Sequence, residues 1–282
     1  MRILILTIVS TLVSLCAASQ KVHLDLFAGV ANYQGDLQDK RFTFSQSHLA
    51  GGVGLSYDFT KHISARAGFM ISSLSGDDQL GRNQARNLDF KTKLSEVNLA
   101  LQYDITALGE HLLTPYVFGG IAIYHFNPYT YDTSGNKFYL QPLSTEGEDF
   151  VQGVSNYKLT QLAIPFGAGV KLSLSENLSV GLELGIRKLF TDKIDDLSST
   201  YVDETLLLAN RGPKAVELAY RGGELKNGGI YPPAGTLRGG AKNKDWYYFT
   251  GFRASLTLFN GGIGGGGKHS KYGCPVNVSG NL

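Results

Sequence analysis

The sequence lacks three features that define large classes of protein: a long apolar run beyond its first residues, a supply of cysteine, and an excess of one charge. A membrane-spanning helix needs about 20 consecutive apolar residues. No such run follows residue 19, so any membrane insertion must use strands. The 26 basic and 24 acidic residues nearly balance, which leaves no basic footprint for nucleic acid. A helical membrane protein and a nucleic-acid partner are therefore both set aside.

The first 19 residues have the composition of a cleavable export signal. A short basic start, an apolar run over residues 3–15 and small residues at 17–19 suit cleavage just before Gln20. A lipid anchor on Cys16 is the weaker alternative, because Leu15 stands where lipoprotein processing requires a small residue. We expect a signal peptide at residues 1–19.

Eight later segments alternate apolar and polar residues with a period of two, the pattern of a strand buried on one side. In residues 49–59, Leu49, Val53, Leu55 and Tyr57 share one face, whereas small and polar residues share the other. The segments span residues 22–32, 49–59, 63–74, 91–105, 113–126, 157–174, 178–190 and 245–259. One face suits lipid and the other a polar lumen, which predicts an all-β, eight-stranded antiparallel transmembrane β-barrel.

The connections alternate between short turns and long loops. Residues 60–62, 106–112 and 175–177 form the short turns, and residues 75–90, 127–156 and 191–244 form much longer connections. Bacterial barrels have short periplasmic turns and long extracellular loops, so we predict an outer-membrane protein with both termini in the periplasm. In the last long loop, Asp203 can cap one short helix and Pro213 can begin a second, which predicts a helical hairpin over the barrel mouth.

A Gly-rich segment follows the predicted barrel of residues 20–259. Residues 260–282 show no alternation and are predicted to form a flexible periplasmic tail. Cys274 lies in this tail and is the lone cysteine after signal removal, so the mature chain cannot form an internal disulfide. We predict that Cys274 contacts another envelope protein, with a free thiol as the alternative.

Aromatic residues cluster where the long loops begin and end. We interpret them as an interfacial girdle at the membrane surface. Its members are Tyr124, Phe126, Phe190, Trp246, Tyr247 and Tyr248.

Charged residues at inward positions predict a plugged lumen. Glu96, Glu183, Arg187 and Arg253 fall at similar mid-barrel depth, and the strands of Glu183 and Arg253 are neighbours. Charges enclosed in a narrow lumen must pair, because a lone desolvated charge costs several kcal/mol. An ion or substrate path is the alternative, but a small barrel is just wide enough to be filled by its own side chains, so we predict no pore.

The acidic run Asp192, Asp195 and Asp196 opens the longest loop. Such carboxylates could hold Ca²⁺ or serve a hydrolytic site, but the ligand order of an EF-hand is absent. Acids next to Ser and Thr more often cap turns and helices. We therefore expect these residues to organise the loop and predict no metal or cofactor.

A hydrolase acting at the barrel rim is a further alternative. His125 lies near the predicted outer rim, with Ser and Asp in the adjoining loops. No nucleophile elbow or other catalytic motif accompanies it, and His at a membrane interface is common without catalysis. We assign no catalytic residue and expect a protein that is not an enzyme.

Several segments resemble the PorG-like outer-membrane barrels of the Bacteroidetes type IX secretion system. They read VANYQGDL, TPYVFGGIAIYHFNP, LAIPFGAGV and RKLFTDKIDDLSSTYVD, and the resemblance spans about residues 22–259. The last segment is the most specific, because a strand end, an acid pair, a Ser/Thr cluster and Tyr201 recur there together. This sequence departs from the family at Lys193, where members usually have an aromatic residue, and in its Gly-rich tail.

The resemblance implies a non-enzymatic component of the secretion machinery. Its partners would be outer-membrane lipids and the periplasmic ring, made of a lipoprotein and partner subunits. It also implies anchoring and assembly rather than transport through this barrel. A small structural or adhesive surface barrel remains the alternative.

Overall fold

The computed structural model describes residues 20–38, 43, 45–107, 112–240 and 244–261. The predicted signal peptide and residues 262–282, with Cys274, lie outside the described residues. No helix in the described part of the chain is long and apolar enough to cross a membrane.

Within the described residues, eight long strands form one closed antiparallel barrel. The strands are β1 (Gln20–Gln34), β2 (His48–Asp58), β3 (Ile63–Asp77), β4 (Asp89–Asp104), β5 (Leu113–His125), β8 (Thr160–Ser173), β9 (Leu178–Leu189) and β10 (Trp246–Gly261). Their order around the barrel is β3-β2-β1-β10-β9-β8-β5-β4, and pairing of β3 with β4 closes it. Each strand begins and ends within three residues of its predicted segment, so the eight-stranded barrel is confirmed.

Alternation of the strand residues gives the barrel an apolar exterior. Large side chains are exposed around the whole wall, and period-two alternation turns their polar neighbours inward. Representative outward residues are Leu55, Phe69, Leu99, Ile121, Leu182 and Phe252. An exposed apolar band on a closed antiparallel sheet is the exterior of an outer-membrane-type β-barrel.

Closure between the first and last strands depends on two glycines. Gly29 of β1 pairs with Gly251 of β10. A Cβ atom added to Gly29 would lie 2.3 Å from the carbonyl oxygen of Thr250, and one added to Gly251 would lie 2.5 Å from that of Ala28. Any side chain would therefore push these strands apart.

The long loops form a cap over one end of the barrel. Asp203 caps the N-terminus of helix α1 (Glu204–Arg211), and its side chain accepts a hydrogen bond from the Leu206 amide at 3.0 Å. Helix α2 (Pro213–Ala219) has Pro213 at its first position. Leu207 and Ala215 bury one face of this hairpin against Leu143 and other residues of the preceding long loop. The predicted helical hairpin is confirmed.

A small hairpin in the loop after β5 was not predicted. It consists of β6 (Tyr129–Tyr131) and β7 (Lys137–Tyr139). Each strand has only three residues, too few for a period of two to stand out from an ordinary loop.

The predicted aromatic girdle at the long-loop end is wrong for most of its members. Tyr124, Phe126 and Tyr247 are fully buried and belong to a core that fills the barrel mouth, and Tyr248 is buried as well. Phe190 is 58% exposed, as a girdle residue should be. Chain position near a strand end did not distinguish the inward face from the outward one.

Candidate functional site

The middle of the lumen is closed by charged side chains around Glu183. Arg66 donates from Nη1 and Nη2 to both carboxylate oxygens of Glu183, at 2.9 and 2.8 Å. Arg253 Nη1 and the Tyr116 hydroxyl donate to the same carboxylate, at 3.2 and 2.9 Å. Arg253 also pairs with Asp25 at 2.8 Å. Three strands besides β9 therefore contribute a hydrogen-bond donor to one buried carboxylate.

A second ion pair joins the strands on the side of the long loops. Arg187 donates from Nε and Nη2 to Glu96 at 2.9 and 3.0 Å. Tyr247 and Asn98 donate to the same carboxylate at 2.7 and 2.8 Å. The structure thus places all four predicted lumen charges inside the barrel, in two ion-paired groups.

Sequence reasoning missed two charged members of this lumen network, Arg66 and Asp25. Both lie at inward positions on strands that the sequence predicts, because Asp25 falls between His23 and Phe27 and Arg66 alternates with outward Ala65 and Ala67. Period-two counting on β1 and β3 would therefore have found both.

The arginines also pack against aromatic rings, so the lumen is filled at this level. The Arg66 guanidinium lies 4.1 Å from the Phe118 ring centroid, and that of Arg187 lies 4.5 Å from the Phe249 centroid. Such contacts add cation–π attraction to the ion pairs. A cavity of about 20 Å³ lies beside these arginines, which is room for about one water molecule.

The lumen widens into a polar cup at the short-turn end. Its volume is about 400 Å³, and Lys171 pairs with Asp104 on its wall at 2.6 Å. His23 lies 3.0 Å from the Thr257 hydroxyl and 2.8 Å from Asp58. These are the residue types of a nucleophilic triad, but Thr257 lies directly opposite His23 in the β1–β10 register, so the sheet itself accounts for the contact.

At the other end, the acidic run ties the cap together. Asp195 accepts a hydrogen bond from the Tyr33 hydroxyl of β1 at 2.5 Å. Asp196 accepts from Thr145 and from Tyr157, both at 2.6 Å, and so holds the loop between β7 and β8. Adjacent acids thus fix one loop to two different parts of the barrel mouth.

Lys193 and Arg238 form a second cluster of ion pairs in the cap, around Glu146. Lys193 lies 2.7 Å from Glu146 and 2.7 Å from Glu148, and Arg238 lies 3.1 Å from Glu146. Burial alone would raise the pKa of Glu146, but the charges of Arg238 and Lys193 outweigh it and lower the pKa to about 2. Lys193 therefore bridges two loop acids.

Asp192 is the exception among the loop acids. It is 4% exposed, and neither of its carboxylate oxygens has a hydrogen-bond partner. Burial, followed by the charge of Asp36, raises its pKa to about 7. Burial and neighbouring acids also raise the pKa values of Asp195 and Asp245. No group of three or more His, Cys, Asp or Glu residues suited to a metal occurs in the described part of the chain.

These raised pKa values set the sign of the cap's pH dependence. A carboxyl whose folded pKa exceeds its unfolded value favours folding when protonated. For Asp192 that contribution is complete below its ordinary pKa of 3.8 and is lost as the pH rises through about 7. The cap is therefore expected to loosen toward alkaline pH.

Tyr201 and His125 complete the residues singled out in the sequence. Tyr201 packs edge-on against Tyr220 and Tyr231, with ring centroids 5.9 and 5.6 Å apart, and lies inside the cap. His125 lies exposed on the outer wall, and its ring Nδ1 lies 3.0 Å from the Thr160 hydroxyl. Among the described residues no carboxylate pairs with His125.

Comparison with family models identifies one family for this chain. The family model described as a domain of unknown function, DUF6089, matches residues 2–208. No curated protein matches the sequence.

Three solved structures of outer-membrane or surface proteins are similar. Neisserial surface protein A has a TM-score of 0.44 at 8% identity, over 86% of this chain and 99% of that chain. The outer membrane protein OprG from Pseudomonas aeruginosa has a TM-score of 0.40 at 12% identity, over 85% and 98%. A major outer membrane protein from Thermus thermophilus has a TM-score of 0.40 at 13% identity, over 84% and 99%. These similarities are remote, and the barrel assignment rests on the strand pairing of this chain.

Proposed function

The chain belongs to the DUF6089 family, and we propose that it is a non-enzymatic outer-membrane barrel that anchors periplasmic subunits of a type IX protein secretion machine. In this proposal the short turns face the periplasm and the long loops face outward. The barrel itself transports nothing. It holds a ring of a lipoprotein and partner subunits at the membrane.

The observation that carries the proposal is the closed lumen. Glu183, Arg66, Arg253 and Arg187 fill the barrel at mid-height, and the cavity beside them has a volume of about 20 Å³. A path for ions or substrates would require these buried pairs to separate, which costs several kcal/mol for each uncompensated charge. A barrel without a path acts through its outer surfaces.

Support for the secretion machine comes from the sequence resemblance. Its most specific segment, residues 187–203, contains Arg187 of the lumen pair and the acids of the cap. Asp195 and Asp196 there join loops that lie far apart in the chain. The residues of this segment therefore have defined structural roles in the lumen and the cap.

Co-purification from native outer membrane tests the proposal. The turns between β2 and β3 and between β8 and β9 place Lys61 and Glu176 at the short-turn end. We expect the double variant Lys61→Glu, Glu176→Lys to lose periplasmic partners while the barrel stays folded. A matched control, Tyr131→Ser with Tyr139→Ser, alters exposed residues on the β6–β7 hairpin and should retain them.

Protein export and ligand binding distinguish a secretion anchor from a surface adhesin. Deletion of the gene should block export of many unrelated proteins if the proposal is correct. Export that continues normally, with no periplasmic protein co-purifying, would refute it. A surface adhesin would instead lose ligand binding in the hairpin variant and not in the turn variant.

A further inference from the structure

Part of the outer wall carries lysines just above the apolar band. Lys93 of β4, Lys158 before β8 and Lys188 of β9 are exposed, as is His125 of β5. The strands β4, β5, β8 and β9 are consecutive neighbours in the barrel. These residues therefore form one basic row along about half of the circumference, at the long-loop end.

The position of the row along each strand matches the edge of the hydrocarbon layer. Outward residues of β9 run through Leu182, Leu184 and Ile186 before Lys188 follows two positions later. In β5, Ile121 and Ile123 precede His125 in the same way. Lys188 and His125 directly follow apolar outward residues. One polar outward residue, Ser95 or Thr160, separates Lys93 and Lys158 from the apolar series of their strands. The row therefore lies at the edge of the apolar band, at headgroup level.

The lysines of the row have no partners within the described part of the protein. Three lysines elsewhere pair with acids, namely Lys171 with Asp104, Lys193 with Glu146, and Lys214 with Asp132. No carboxylate pairs with Lys93, Lys158 or Lys188 anywhere in the described residues. These three ammonium groups lie close to the hydrocarbon layer, so their counter-ions must come from outside the chain.

The opposite end of the wall differs in kind. Outward residues at that end include Tyr57, Phe59, Tyr103 and Phe259, whereas the charged turn residues Lys61 and Glu176 line the cup. Tyr57 and Phe59 stack edge-on, with centroids 5.1 Å apart. The difference between the two ends indicates that the basic row matches the lipids of one leaflet. It does not reflect a requirement for basic residues at both membrane surfaces.

We propose that this row binds the phosphate groups of lipids in the leaflet around the long-loop end. A lysine ammonium is a compact charge on a flexible stem, so it can lie along the apolar wall and place its charge among phosphates. Lipid phosphates supply a dense set of anions at that depth. The inference requires only that the barrel spans a membrane, and it does not depend on secretion or on which compartment the loops face.

Lipid retention by the purified full-length protein tests this. The protein is equilibrated in detergent with bisphosphorylated lipid A or with the same lipid stripped of both phosphates, and bound lipid is counted by native mass spectrometry. We expect preferential retention of the phosphorylated lipid. A lysine near an anionic lipid surface strengthens binding about fivefold, so Lys93→Gln with Lys188→Gln should weaken retention about 30-fold.

Two further variants make the outcome decisive. Lys93→Arg with Lys188→Arg keeps the charges and should retain the lipid. Lys21→Gln with Lys61→Gln removes the same charge from the cup at the short-turn end and should behave like the parent protein. Equal retention of both lipids, or an equal loss in the short-turn control, would overturn the proposal. Gel mobility without heating verifies that each barrel is folded.

Discussion

Removing the central carboxylate of the lumen tests whether its charges are truly desolvated. In Glu183→Leu, Arg253 keeps its pair with Asp25 at 2.8 Å, but the remaining hydrogen-bond acceptor of Arg66 is the neutral Gln102 at 3.1 Å. Arg66 is buried, so the change leaves one uncompensated charge inside the barrel. Breaking a buried pair in this way costs about 3–5 kcal/mol. The Tyr116 hydroxyl also loses its acceptor, which adds about 1–3 kcal/mol.

Removing the whole group at once should restore most of that stability. The triple variant Arg66→Met, Tyr116→Phe, Glu183→Leu deletes the charge, its partner and the hydroxyl together. Replacing a buried ion pair with packed apolar residues is often neutral. We therefore expect the triple variant to lie within about 1 kcal/mol of the parent protein, well above the single variant.

Urea unfolding in lipid vesicles measures both variants. Trp246 is the only tryptophan in the chain. It packs edge-on against Phe166 of β8, with centroids 6.3 Å apart, so its fluorescence reports loss of the barrel wall. If the single and triple variants lose equal stability, or if Glu183→Leu loses none, water solvates the lumen charges and the closed-lumen reasoning fails.

Three further predictions concern the cap, the closure and the tail. Asp192→Asn should stabilise the protein above about pH 7, because the folded carboxyl has a pKa of about 7 against 3.8 unfolded. The gain should be about 2 kcal/mol, roughly half of the full linkage value, since the polar barrel mouth screens part of the charge. It should vanish near pH 4 in urea titrations, and a gain independent of pH would contradict the assignment. Gly29→Ala should prevent closure of β1 on β10, whereas Gly51→Ala, with no atom within 4 Å of its Cβ, should fold normally by gel mobility. Cys274→Ser should remove high-mass adducts from non-reducing gels of intact envelopes, and unchanged adducts would show that this thiol attaches nothing.

The barrel was predictable because each strand carries its own signal. One wall of a strand faces lipid and the other faces the lumen, so the period of two persists over the full length of segments such as β2 and β9. The helices in the last loop were predictable for a similar local reason. Asp203 and Pro213 act on backbone groups within a few residues of themselves.

The site was only partly predictable because its contacts are distant in sequence. Alternation placed Glu183 and Arg253 inside the barrel, but it could not show that Arg66, more than a hundred positions earlier, would supply the bidentate partner of Glu183. That pairing depends on the diameter and stagger of the closed barrel. The same limit applies to Tyr247, which was placed at the surface although its hydroxyl reaches Glu96 inside.

Two layers close the lumen, and this favours anchoring over a gated channel. The ion-paired layer around Glu183 is held by β3, β5, β9 and β10. Above it, Tyr33, Phe90 and Tyr247 fill the mouth, and Asp195 fastens the loop cap to Tyr33. Release of the cap, for example by ionisation of its acids at alkaline pH, leaves the ion-paired layer unchanged because the two layers share no charged residue. A gate that opens the barrel would have to break both, whereas an anchor gains rigidity from each.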